Sequence, residues 1–159
     1  MVSSATGNAG EYLVMAELLF REFDAYLAGR ENPAFDIACF ANPSRRGTRL
    51  RVKTTTDGKA KYSAKSDGSH FRTLGDEDDF VVIVNASPKL PRREFYVIPT
   101  KVVEEHLRSD FEFYVSHPGR NAKSKMRCLT LYGEERETDR GYGYDKKFNE
   151  YRDAWGLLT

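Results

Sequence analysis

The sequence predicts an α/β domain in which helices cover a mixed sheet. Three observations lead there. Apolar residues near the start recur at helical spacing: Tyr12, Met15, Ala16, Leu19, Phe23 and Leu27. Between them and a second helical stretch, Lys101 to Leu107, lie several short β-branched or aromatic segments. One of these, Phe80 to Ala86 (FVVIVNA), is almost continuously apolar, the mark of a strand buried on both faces. A chain of 159 residues suits one domain over 1–159. At that size, folding hides about 70% of the extended-chain surface, enough for a core without staples.

The elements follow in order. The first helix runs from Asn8 to about Leu27, rich in Ala, Glu and Leu, with Gly29 as its terminator. Asn32-Pro33 closes the connection, since a residue before proline is pushed toward extended geometry. Ala34 to Ala41 (AFDIACFA) reads as a strand, Asn42 to Gly47 as a turn, and Thr48 to Thr56 as a second, alternating strand. A Gly-, Ser- and Lys-containing connection follows, then a short strand at Ser69 to Arg72. Beyond Phe80–Ala86 come a strand at Glu94 to Ile98, the helix opened by Pro99-Thr100, and an extended edge at Met126 to Tyr132. Phe148, Tyr151, Trp155 and Leu158 space 3, 4 and 3 apart, which predicts a short amphipathic C-terminal helix.

Net charge is only +1, from 25 Lys and Arg against 24 Asp and Glu. That excludes a polybasic, histone-like chain, but position matters more than the sum. From Arg45 to Lys65, eight cations (Arg45, Arg46, Arg49, Arg51, Lys53, Lys59, Lys61 and Lys65) face one acid, Asp57. Acid is concentrated elsewhere, at Asp76 to Asp79. Lys59, Lys61 and Lys65 interleave with Tyr62, Ser63 and Ser66, a pattern that suits tracking of phosphates as well as a solvated loop. Tyr142 and Tyr144 lie in a Gly-containing loop, where aromatic rings either idle or stack on bases.

Other features are quieter. Cys39 and Cys128 are too few and too far apart for a zinc framework and read as buried free thiols. His70, His106 and His117 show no ligand spacing and read as packing or surface residues. Residues 1–10 (MVSSATGNAG) lack a signal-peptide pattern and no apolar run approaches a membrane span, so a cytoplasmic protein without a membrane partner is expected.

If Asn42 pairs with Gly47, Asp36 falls directly opposite Lys53, with Arg49 and Arg51 on the same face and Leu50 and Val52 turned to the core. A slip of two residues leaves Asp36 diagonal to Lys53. Alone, such a pair reads most simply as a cross-strand ion pair worth about 0.2–1 kcal/mol. It also reads as part of a phosphoryl-transfer site, where a carboxylate holds Mg²⁺ and a lysine offsets charge on the attacked phosphate.

Gly7-Asn8-Ala9-Gly10-Glu11 on a helix, Asp36 entering a strand, and Val52-Lys53-Thr54-Thr55 on the next resemble the PD-(D/E)XK nuclease superfamily. The nearer likeness is to the branch with a helix Glu, a strand Asp and a QVKTT-like motif, here RVKTT. The resemblance implies a restriction-endonuclease-like αβββαβ core, a mixed sheet flanked by helices, with an extra C-terminal helix. It implies Glu11 and Asp36 as ligands of Mg²⁺ or Mn²⁺ and Lys53 as the catalytic lysine. Glu11 by itself reads equally as a first-turn carboxylate complementing the helix dipole.

Arg51 departs from the pattern, because the family supplies an oxygen ligand at this position. Arg has five donors and no acceptor, and its fixed charge repels a metal ion. Two readings stay open. Mg²⁺, weakly bound, serves a DNA endonuclease that hydrolyses phosphodiester bonds, with Arg51 turned to phosphate. Otherwise the fold is inactive and binds DNA or a protein. DNA is the expected partner, contacted by Arg45, Arg46, Arg49, Lys59, Lys61 and Lys65. A further reading sets the basic face against an acidic partner, such as the Asp76–Asp79 run of a second copy in a homodimer.

Overall fold

A computed structural model describes residues 4–29, 32, 34–41, 47–71, 79–131 and 147–159. The elements are α1 (Ser4–Phe20), β1 (Asp24–Leu27), β2 (Ile37–Phe40), β3 (Thr48–Thr55), β4 (Lys59–Ser63), β5 (Asp79–Asn85), β6 (Glu94–Pro99), α2 (Thr100–Ser116) and β7 (Met126–Thr130). Five strands form a mixed sheet in the order β1-β2-β3-β5-β6, and β4 pairs with β7 in a separate antiparallel ribbon. Among the described strands of this sheet only β3 and β5 run parallel, and the other neighbours are antiparallel. This is the expected α/β architecture of restriction-endonuclease-like topology, a mixed sheet flanked by helices with an additional C-terminal element.

Alternation along β5 and β6 builds two cores on opposite faces of the sheet. Phe80, Val82, Val84, Phe95 and Val97 join Val14 and Leu18 of α1. Val81, Ile83, Tyr96 and Ile98 join Val103 and Leu107 of α2, and Ala60 and Leu129 of the ribbon. All seven residues of β5 are buried, as its unbroken apolar run predicts. Each fully buried aliphatic side chain there contributes on the order of 1.5–3 kcal/mol.

Several boundaries differ from expectation. The first helix ends at Phe20, not near Leu27, and a strand occupies part of its predicted length. Glu22 takes a left-handed φ of 62°, and the Phe23 N–H turns back onto the Leu18 carbonyl at 3.1 Å. The chain therefore reverses, and Phe23 joins the α1-side core from outside the helix. The predicted helix at 101–107 extends to Ser116, and β2 is shorter than the predicted 34–41 strand.

The supposed lysine-rich connection is strand β4, held to β7 in register Lys61↔Cys128. Residues 69–71 are not a strand. The predicted C-terminal helix is instead two 3₁₀ turns, Asn149–Tyr151 and Trp155–Leu158, separated at Asp153, whose φ is 52°. This tail seals the edge of β6. Arg152 Nη2 meets Glu94 Oε1 at 2.7 Å, and Trp155 packs on Phe95 with centroids 5.6 Å apart.

Cys39 and Cys128 are free thiols, buried and half-buried, and burial pushes Cys39 up to about 12. His106 is a buried packing residue whose ring meets Phe148 edge-on. Burial and nearby Lys147 push it down to about 4. His117 is exposed at the C-terminus of α2. Among the described residues, no helix is long and apolar enough to cross a membrane.

Candidate nucleic-acid site

The site is built around β3, which α1 crosses at very short range. Gly10 is buried over Thr54. A Cβ there would stand 1.9 Å from Thr54 Oγ1 and 3.2 Å from Thr54 Cβ. Only a glycine lets the two backbones approach this closely without displacement. Glu11, the next residue, is thereby held beside β3. It lies in the second turn of α1, which already spans Ser4 to Gly7. The helix-dipole reading of Glu11 therefore loses its basis, because that effect fades within the first turn.

Asp36 is anchored from three sides. Its N–H donates to the Leu50 carbonyl and its own carbonyl accepts from the Ala28 N–H, both at 2.8 Å. Its Oδ2 accepts the Val52 N–H at 2.7 Å. The β2–β3 register pairs Ile37 with Leu50 and Ala38 with Arg49, so the direct opposition of Asp36 and Lys53 is corrected. Continuing the register sets Asp36 against Arg51 and leaves Lys53 diagonal. The physical reason is the set of bonds from Asp36 to Leu50 and Val52, which fixes the strand entry two residues earlier.

Three adjacent clefts share these residues. Glu11 and Lys53 line one of about 540 Å³ with Lys59 and Lys61. Asp36 and Lys53 line a second of about 300 Å³ with Arg51, Lys65 and His70. Glu11 and Asp36 line a third of about 420 Å³ with Asn32 and Tyr12. Each pair of the three predicted residues therefore meets in one cleft. Glu11 and Lys53 come from α1 and β3, and Asp36 from the entry to β2.

Arg51 and Lys53 emerge from the sheet on the face of Val81 and Ile83, their partners in β5. Aromatic rings cover both cations. Arg51 Cζ is 5.1 Å from the Phe71 ring centroid and Lys53 Nζ is 5.5 Å from that of Tyr62. Burial lowers the Arg51 pKa, opposed by the charges of Asp79 and Asp36. Arg51 thus stays a guanidinium between the Asp36 side of the cleft and Phe71.

Arg49 meets Asp79 through two hydrogen bonds, Nε to Oδ1 at 2.8 Å and Nη2 to Oδ2 at 3.1 Å. This fork commits much of its donor capacity within the chain, and it ties one member of the acidic run to the basic strand. Lys59 and Lys61 are exposed on β4. Lys65 Nζ donates to the Phe71 carbonyl. Arg45, Arg46, Asp76 to Asp78, Tyr142 and Tyr144 lie outside the described residues.

Nor do the described residues bring three carboxylate, imidazole or thiolate side chains together. Glu11 and Asp36 provide at most two carboxylates, and Arg51, which lines a cleft with Asp36, is a cation. The set does not form a metal cage on its own; Mg²⁺ bound there would need oxygens from phosphate and water.

His70 is a packing residue, one of the two roles the sequence suggested, but its partner was not foreseen. Its Nδ1 lies 3.0 Å from Glu104 Oε1, and 34 residues separate the two. No local spacing marks such a pair.

The chain is similar to a bacterial homing endonuclease, I-Ssp6803I, with 16% identity and a TM-score of 0.53 over 99% of this chain and 92% of that one. The chain has a nuclease-like fold. At this identity the likeness concerns the fold and not the activity. Hjc, a Holliday junction resolvase from the archaeal hyperthermophile Archaeoglobus fulgidus, gives a TM-score of 0.41 at 17% identity over 75% of this chain and 86% of that one, too loose a likeness to carry weight. No family model matches the chain, and no curated protein matches it.

Proposed function

We propose that this nuclease-fold chain is a DNA-binding domain whose former or weakened metal site now serves to grip phosphates. The observation that carries the proposal is the cleft shared by Lys53, Lys59 and Lys61, next to a ligand position held by Arg51. Cations on β3 and β4 suit a polyanion, and Arg51 favours phosphate over a divalent ion. Duplex DNA measured without metal is expected to bind with an affinity that falls steeply as salt rises. Replacing Lys59 and Lys61 together by Ala is expected to reduce the log–log salt slope by about 2. Affinity should weaken by about fivefold to tenfold, as expected for roughly 1 kcal/mol. A slope and affinity unchanged in that variant would count against this surface.

A second reading, Mg²⁺-dependent phosphodiester hydrolysis, is favoured by the pairwise meeting of Glu11, Asp36 and Lys53. A bound divalent ion would supply Lewis-acid polarisation of the phosphate. For the chain's own part, Lys53 would offset negative charge developing on the phosphate, while Asp36 is held by its bond from Val52. A plasmid-nicking assay with Mg²⁺ or Mn²⁺ tests it. Cleavage lost in both Asp36→Ala and Lys53→Ala supports hydrolysis at this site; cleavage unchanged in both removes it.

A further inference from the structure

The β4–β7 ribbon stands apart from the main sheet, and its two faces differ. Ala60 and Leu129 on the inner face are fully buried in the α2-side core. Lys59, Lys61 and Ser63 alternate with Ala60 along β4 and are exposed. The register sets Lys61 against Cys128 and Ser63 against Met126 on the same outer face. Met126 is 57% exposed there. The pairing continues past both ends, with the Ala64 N–H on the Lys125 carbonyl at 2.8 Å and the Leu131 N–H on the Gly58 carbonyl at 3.0 Å. A fully paired backbone over a packed core thus holds the outer face in place.

Cations surround this methionine. Residues 117–125, which lead into β7, contain Arg120, Lys123 and Lys125 and no Asp or Glu, and all three cations are exposed. Met126 also lines the cleft of Lys53, Lys59 and Lys61. The acids of that cleft, Glu11 and Asp57, belong to α1 and to the turn before β4, not to the outer face of the ribbon. So positive a surface suits a nucleic-acid backbone. A thioether offers phosphate neither charge nor a hydrogen-bond donor. In a DNA complex its fitting neighbours are base edges, above all the C5-methyl of thymine. A two-stranded ribbon fits the major groove, about 12 Å wide, and not the minor groove of about 6 Å. The paired length of β4 and β7 is about 17 Å, on the order of five base pairs of duplex.

We propose that the β4–β7 ribbon enters the major groove of duplex DNA, where Met126 contacts base edges while Lys59, Lys61, Arg120, Lys123 and Lys125 hold the flanking phosphates. This rests on the DNA-binding reading above and adds to it the groove, the reading element and a source of sequence preference. The phosphate contacts fix position, and Met126 contributes the base-dependent part. Thymine at the contacted step binds better than cytosine, which lacks the methyl group that the side chain covers.

The test uses the full chain labelled with ¹³C at the methyls of its three methionines, Met1, Met15 and Met126. The signal lost in Met126→Leu assigns Met126. In EDTA at low salt, saturation with a thymine-rich duplex is expected to shift the Met126 methyl. Met15, which packs on the α1-side core, should stay in place. Met126→Ala is expected to bind this duplex about fivefold to tenfold more weakly, the effect of no longer burying the exposed half of a Met side chain. Its salt slope should not change, since no phosphate contact is lost. A duplex carrying glucosylated 5-hydroxymethylcytosine, which fills the major groove, should bind the parent chain much more weakly, whereas netropsin in the minor groove should not compete. A saturated complex with Met126 unmoved, equal affinity for the glucosylated duplex, or competition by netropsin would overturn the groove contact and leave the DNA-binding reading standing. A parent chain with no duplex affinity at low salt would overturn both.

Discussion

Gly10→Ala is expected to destabilise the fold by about 1–3 kcal/mol, the usual cost of forcing an extra carbon into a packed contact. In an ordinary exposed helix the same change stabilises by about 1 kcal/mol, because alanine is the better helix former. The sign is therefore diagnostic. At Gly10 the new Cβ would lie 1.9 Å from Thr54 Oγ1 and 3.2 Å from Thr54 Cβ. Thr54 Cβ, at 3.2 Å, does not move with χ1, so turning Oγ1 away relieves only the closer of the two contacts.

Helix and strand must move apart, and Glu11 moves with the helix. Thr54→Ala should restore most of the lost stability in the double variant. It removes Oγ1, the nearest crowding atom and a buried hydroxyl that has no partner among the described residues, together with Cγ2 at 3.5 Å, and leaves only Cβ at 3.2 Å. Urea unfolding of the two single variants and the double variant measures the coupling. Gly10→Ala more stable than the parent would show that α1 does not press on β3 as described.

Arg51→Gln is expected to tighten Mg²⁺ binding tenfold or more and to raise any metal-dependent nicking with it. The change removes a fixed positive charge and presents an amide oxygen where the resemblance calls for an oxygen ligand. One unit charge near a divalent ion costs on the order of 1–2 kcal/mol even at the dielectric of water, and more in a half-buried cleft. The structural penalty is small: the stacking of Arg51 on Phe71 is a contact worth about 0.5–1 kcal/mol in partly exposed settings. Isothermal titration of Mg²⁺ or Mn²⁺ into both proteins, in parallel with plasmid nicking, reads the outcome. Unchanged metal affinity would show that Arg51 is not what separates this site from a metal centre.

The residues of the candidate site were legible because they sit in short motifs on strongly patterned elements. Lys53 follows from the alternating 48–56 strand and Asp36 from its neighbour; Leu50 does point into the core, fully buried. The buried run at β5 was legible for the same reason, since nothing but a doubly covered strand suits so apolar a segment. What escaped were features set by distant partners. Lys59 to Ser63 looks like a polar connection until β7, more than sixty residues on, pairs with it. The end of α1 turns on a left-handed Glu22, a conformation that no apolar spacing announces. The tail has helical spacing at Phe148, Tyr151, Trp155 and Leu158, yet Asp153 breaks it so that Trp155 can reach Phe95.

The sequence by itself determined the α/β class, the polarised charge and the fixed cation at Arg51, because composition, periodicity and side-chain chemistry are local properties. Tertiary structure decided the register that sets Asp36 diagonal to Lys53, and it lodged Glu11 beyond the reach of the helix dipole. It also joined His70 to Glu104 across 34 residues of chain. Those outcomes depend on which backbone groups find partners when the sheet and helices close. Such pairing is a property of the whole fold, and no single segment carries it.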